Sequence, residues 1–129
     1  MQTLQTTPLL STSSISDTTV VNPQGTSLGD IKDLMVDPQT GRVLYAVLDF
    51  GGFLGIGNKL FAVPLQAFDV DTDRERFVLN VTQERLENAP GFDQNDWPSS
   101  ADTSFLDTVY NHYGVSRTTW ERRREPALN

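Results

Sequence analysis

The sequence has no cysteine, one histidine, two methionines and few cations, and it holds no long apolar run. Without cysteine there is no disulfide framework, no Cys-based zinc site and no thiol nucleophile. A lone His112 cannot build a multi-histidine metal centre. No window approaches ~18 consecutive apolar residues, so no bilayer-spanning helix is expected. A basic start followed by an apolar stretch is also missing, and Leu9-Leu10 is the longest apolar run before Val20. A secretory signal is therefore not expected, and the chain reads as soluble and cytoplasmic. Lys and Arg number 10 against 17 Asp and Glu, a net charge of −7. Residues 1–116 hold six of those cations and fifteen of the acids, a net of −9, while residues 117–129 carry +2. So acidic a body repels phosphate backbones, which argues against nucleic acid as its partner.

What is present is one domain with extensions, in keeping with 129 residues. Residues 1–12, rich in Thr, Ser and Gln, read as an arm, with Ile15 the first residue expected to pack. Residues 13–82 read as a barrel of about six short strands broken by turn residues. Thr18 to Asn22 is β-branched and stops at Pro23-Gln24-Gly25. Ile31 to Asp37 stops at Asp37-Pro38-Gln39-Thr40-Gly41, a turn signal with Gly41 free to take positive φ. Val43 to Phe50 returns as its hairpin partner and is apolar on both faces, with Leu44, Ala46, Leu48 and Phe50 opposite Val43, Tyr45 and Val47. Such a strand is buried on both sides or meets another subunit. Lys59 to Leu65, Ala67 to Val70 and Arg76 to Val81 follow. With no room for crossover helices, the expected architecture is mainly β, an SH3-like antiparallel barrel.

Residues 83–114 read as a helical extension packed on that barrel, and 115–129 as an Arg-rich tail. Thr82 is placed to cap a helix over Gln83 to Asn88, ended by Ala89-Pro90-Gly91. Phe92 to Ser100 reads as a linker carrying Trp97. Asp102 is placed to cap a second helix, whose Phe105, Leu106, Val109, Tyr110 and Tyr113 form one apolar stripe before Gly114.

Motifs that carry chemistry are scarce. Gly51 to Leu60 is glycine-rich, but a phosphate loop needs Gly-Lys-Ser/Thr opening a helix, and here Asn58-Lys59-Leu60 opens a strand. The dinucleotide fingerprint fails on spacing. Gly52, Phe53, Leu54, Gly55, Ile56 and Gly57 instead present large apolar side chains on a loop, a contact for a partner or a second copy. Asp69-Val70-Asp71-Thr72-Asp73 begins like a calcium loop, but Arg74 stands where Gly is required and Asn80 where Glu is. It reads as an acidic turn with at most weak cation binding. No nucleophile–base–orienter set can be assembled, so no enzyme activity, metal or cofactor is expected. Trp120, Arg122, Arg123 and Arg124 offer a short basic contact with an apolar anchor.

Several segments in one order resemble the PRC-barrel family, named for the cytoplasmic domain of the photosynthetic reaction centre H subunit and related to a domain of a ribosome maturation factor. They are Gly29 to Asp37, Gly41-Arg42-Val43, Tyr45 to Leu48, Gly51 to Pro64, Phe77-Val78-Leu79, Glu84-Arg85-Leu86, Ala89-Pro90-Gly91-Phe92 and Trp97-Pro98. The resemblance spans residues 13–114. It implies a small β-barrel that acts as an interaction module, often dimeric, without catalytic residues, in a group of stand-alone bacterial proteins some of which are linked to stress responses. Leu65 stands where a Trp is frequent in that family, and Phe105 where a Trp often appears. The expected function is a non-enzymatic adaptor that forms a homodimer and binds a protein partner. The alternative is an accessory factor for RNA, ribosomal or membrane complexes, including photosynthetic ones, anchored peripherally by the basic tail.

Overall fold

A computed structural model describes residues 9–50, 59–100 and 102–116. Its elements in chain order are α1 (Thr12–Ile15), β1 (Thr19–Val21), β2 (Ser27–Asp37), β3 (Arg42–Asp49), β4 (Lys59–Val63), a 3-10 turn (Leu65–Ala67), β5 (Phe68–Asp71), β6 (Arg76–Leu79), α2 (Gln83–Glu87), β7 (Gly91–Asp93) and α3 (Thr103–His112). The strands form one seven-stranded sheet in the order β5-β6-β1-β2-β3-β4-β7.

The mainly β fold expected from the sequence is there, with three differences. First, the strand count is seven rather than six among the described residues, because part of the expected linker is β7, pairing antiparallel with β4 through Leu60↔Phe92. Second, β1 joins β6 in parallel, with Val20 opposite Phe77, so the sheet is not wholly antiparallel. Third, the ladder is not closed: β5 and β7 are its two edges.

The local signals hold where chemistry is local. Asn22, the one buried polar side chain among the described residues, accepts from the backbone N–H groups of Gln24 (3.1 Å) and Thr26 (2.9 Å), which closes the β1–β2 turn. At the β2–β3 turn the Asp37 carbonyl accepts from Gly41 N–H at 2.7 Å, and Asp37 Oδ1 accepts from Gln39 N–H at 2.9 Å. Gly41 takes φ +78°, as that turn demands. Thr82 caps α2 through the Arg85 N–H at 3.1 Å, and Asp102 caps α3 through the Ser104 N–H at 2.9 Å.

Two cores lie on opposite faces of the sheet. The inner one gathers Ile15, Val20, Leu28, Ile31, Ala46, Leu48, Phe61, Val63, Phe68, Phe77, Leu79 and Leu86. The outer one gathers Tyr45, Val47, Leu60 and Ala62 beneath Leu106, Val109 and Tyr110 of α3. The doubly apolar β3 is thus buried on both sides by its own chain. Leu44 departs from the expected alternation: it packs with Tyr45 and Val47, not with Ala46 and Leu48. The cause is a bulge, since Met35 pairs with Tyr45 but Val36 pairs with Val43, leaving Leu44 the extra residue. The Leu44 carbonyl accepts the Tyr110 hydroxyl at 2.5 Å, which fastens α3 to that bulge.

Candidate interaction surface

The two contacts expected from the sequence, Gly52 to Gly57 and Trp120 with Arg122 to Arg124, lie outside the described residues. What is described is the loop's far anchor: Lys59 Nζ donates to the Ala89 carbonyl at 2.9 Å and lies 4.9 Å from the centre of the Phe61 ring. The apolar stripe of α3 is spent on its own sheet, with Leu106, Val109 and Tyr110 buried. That face of the helical extension is therefore no free contact surface.

The acidic turn is organised by arginines. Asp71 Oδ2 meets Arg74 at 3.2 Å and Arg76 at 3.4 Å. Desolvation opposes ionisation of Asp71, but hydrogen bonds from Arg74 and the charges of Arg74 and Arg76 outweigh it and hold its carboxyl below the usual range. No group of three or more His, Asp or Glu among the described residues has a metal-holding arrangement. The carboxylate central to a weak cation site is engaged by guanidinium groups instead.

His112 and Tyr113 end α3 in a sheltered corner. Arg85 of α2 donates to the His112 carbonyl at 2.6 Å, and the two rings meet edge to face with centres 4.8 Å apart. His112 Nε2 and the Tyr113 hydroxyl are enclosed without a hydrogen-bond partner. Desolvation lowers the His112 pKa, and the Arg85 and Lys59 charges lower it further against the raising effect of a hydrogen bond to the Arg85 backbone. Burial likewise pushes the Tyr113 hydroxyl up. A histidine whose folded pKa lies below its unfolded value favours the neutral form when folded. Its stabilisation is fully present above the unfolded value near 6.5 and is lost as pH falls toward the folded one. His112→Gln should therefore lose less stability than the parent between pH 7.5 and 5.5, measured by urea midpoints at both values; equal losses would exclude His112 as the sensor.

Two clefts with apolar walls stand out among the described residues, and sequence reading marked neither. One lies between the β2–β3 turn and the start of α3, about 300 Å³ in volume. Met35, Val36, Leu44, Tyr45 and Phe105 give it apolar walls, and Val36 is 49% exposed there. Behind it runs an aromatic chain: Phe105 to Tyr45 at 6.0 Å, Tyr45 to Phe92 at 6.5 Å and Phe92 to Trp97 at 5.3 Å between ring centres. The Trp97 indole N–H is committed to the Gln94 carbonyl at 2.7 Å. The second cleft follows the β5 edge. Leu10, Val70 and Phe77 line both of its lobes, of about 360 and 210 Å³. Its signal in the sequence is slight: Val70 is an outward valine between two aspartates, and Leu10 arrives from 60 residues away.

Among the described residues no helix is long and apolar enough to cross a membrane. No curated protein matches the sequence. The PRC-barrel domain family matches residues 9–86, which is 78 of 129 residues and covers α1 through most of α2. β7 and α3 lie beyond the matched span. With that match over more than half its length, the chain belongs to the PRC-barrel family.

Proposed function

We propose that this chain is a non-enzymatic protein-interaction module, cytoplasmic, that associates with a second copy of itself and with a protein partner. The observation that carries the reading is the cleft beside the β2–β3 turn, where Val36 stays half exposed above a wall of Met35, Leu44, Tyr45 and Phe105. Apolar area left in water at a shaped cleft is stabilised by a partner surface, at roughly 25 cal/mol per Å² covered. On sequence grounds the loop from Gly52 to Gly57 is a second contact of the same kind. The non-enzymatic reading is supported by the surroundings of the single histidine, whose charged influences among the described residues are the cations Arg85 and Lys59.

The test is sedimentation equilibrium of full-length chain. A mass near twice 14.4 kDa is expected for the parent. Val36→Glu should raise the dimer dissociation constant by about tenfold or more, equivalent to about 1.4 kcal/mol. A parent that stays monomeric at the highest concentrations reached, or a variant that dimerises equally well, would remove self-association through this cleft.

A further inference from the structure

The sheet ends at β5. One side of that strand pairs with β6, through Phe68↔Leu79, Asp69↔Val78 and Val70↔Phe77, and its other side meets no strand among the described residues. An edge of this kind presents backbone N–H and C=O groups to an incoming strand. Its two faces differ in chemistry. Phe68 lies in the inner core with Phe77, their ring centres 5.4 Å apart, and Val70, opposite Phe77, continues that face while 44% exposed. Leu10 and Leu65 border the same face and leave an apolar hollow of about 210 Å³ beside it. Asp69 and Asp71 take the other face by alternation. Asp71 is engaged by Arg74 and Arg76, whereas Asp69 is exposed and makes no ion pair among the described residues.

We propose that β5 is a docking edge for an extended segment of a partner protein in which apolar residues alternate with basic ones. A strand laid along β5 stands about 4.8 Å away, and each of its residues shares a face with the β5 residue opposite. Opposite Phe68 and Val70 the incoming side chains point over the hollow, and the one between them comes beside Asp69. Apolar–basic–apolar is the order that matches. Backbone pairing supplies the hold, and the alternation supplies the selection. A second copy does not meet this requirement. Antiparallel self-pairing centred on Asp69 sets that carboxylate against its own image, and centring it on Val70 sets Asp69 against Asp71; like charges directly opposite are destabilising. A slip of one residue brings apolar side chains opposite acids. Two copies also repel at a distance, each carrying −7, and the same charge draws a basic segment in. The hollow shares no lining residue with the Val36 cleft, so the two proposals stand or fall separately.

The probe is a short, end-blocked and dye-labelled peptide alternating valine with lysine, titrated with full-length chain at about 0.15 M salt and followed by fluorescence anisotropy. It should bind about tenfold tighter or more than a peptide of the same composition with its valines and lysines in separate blocks. N-methylation of one alternate set of its peptide nitrogens should abolish binding while methylation of the other set is tolerated, because a strand turns only every second N–H toward a given neighbour. Asp69→Lys, at an exposed position, should weaken the valine–lysine peptide about tenfold or more and admit a valine–glutamate counterpart, with an unchanged urea midpoint showing that the fold stands. Equal affinity for the peptide in blocks would reduce the attraction to charge alone and overturn the proposal. So would indifference to both methylations, indifference to Asp69→Lys, or no binding of the alternating peptide at the highest chain concentration reached.

Discussion

Gly29→Ala is expected to cost about 3–5 kcal/mol, a large part of the 5–15 kcal/mol that holds a domain of this size together. Gly29 lies within β2, where that strand is sandwiched between β1 and β3, opposite Val20 on one side. Its φ is +113°, which L side chains rarely adopt, and a Cβ there would stand 2.1 Å from the Asp49 carbonyl oxygen and 2.9 Å from its carbon. That neighbour is backbone of β3, so relief requires the two central strands to part. Backbone strain of ~1–3 kcal/mol adds to whatever pairing is lost. The unusual conformation has a purpose: Leu28 and Ile31, three residues apart, are both fully buried in the inner core. Strict alternation would send them to opposite faces. The irregularity where β1 pairs with β2, at Val20/Val21, lets one strand place both inward while Asp30 stays exposed. Gly25→Ala is the control, since its Cβ would meet nothing within 4 Å though its φ is also positive, at +86°. Urea midpoints of the two variants check this. A loss at Gly29 no larger than at Gly25 would show that β3 yields freely.

The same residues explain what could be read from the chain and what could not. Turns and caps depend on neighbours within a few positions, so Asp37 to Gly41, Thr82 and Asp102 were legible. Ile15, too, packs where the sequence first offers a large apolar side chain after the polar arm. The strand at Gly91 to Asp93 was not, because three residues show no alternation and their pairing is with β4, thirty residues earlier. Leu44 was assigned to the wrong face because a bulge is a property of two strands together. The parallel β1–β6 contact joins segments more than fifty residues apart, again beyond any local pattern. As for surfaces, composition singles out the apolar loop from Gly52 to Gly57 and the arginine tail as candidates, and both fall outside the described residues. The two described clefts need residues from three or more elements each, and no window of sequence contains them.

Val109→Asp should be the most damaging change in the extension that follows the family-matched segment. Val109 is fully buried in the outer core, where α3 covers Tyr45, Val47, Leu60 and Ala62. A carboxylate there has no cation within the cluster, and an unpaired buried charge with lost packing costs about 3–5 kcal/mol. The helix is then expected to leave the sheet. The Tyr110 hydroxyl gives up the Leu44 carbonyl, and the outer faces of β3 and β4 meet water. Because Ala46 and Leu48 on the same strand belong to the inner core, loosening one face loosens the other. The parent should accordingly unfold in one cooperative transition that includes α3. Thr108→Asp adds the same charge one residue away at an exposed position and should stay within about 0.5 kcal/mol of the parent. The check is denaturant unfolding of chain carrying Trp120→Phe, followed by far-ultraviolet circular dichroism and by fluorescence of Trp97, beside the outer core. Coincident curves, shifted strongly for Val109→Asp and hardly for Thr108→Asp, are the expected result. A variant that loses helical signal while the sheet keeps its midpoint would show that the matched barrel stands without α3, and that the helix is an appendage rather than half of the molecule's core.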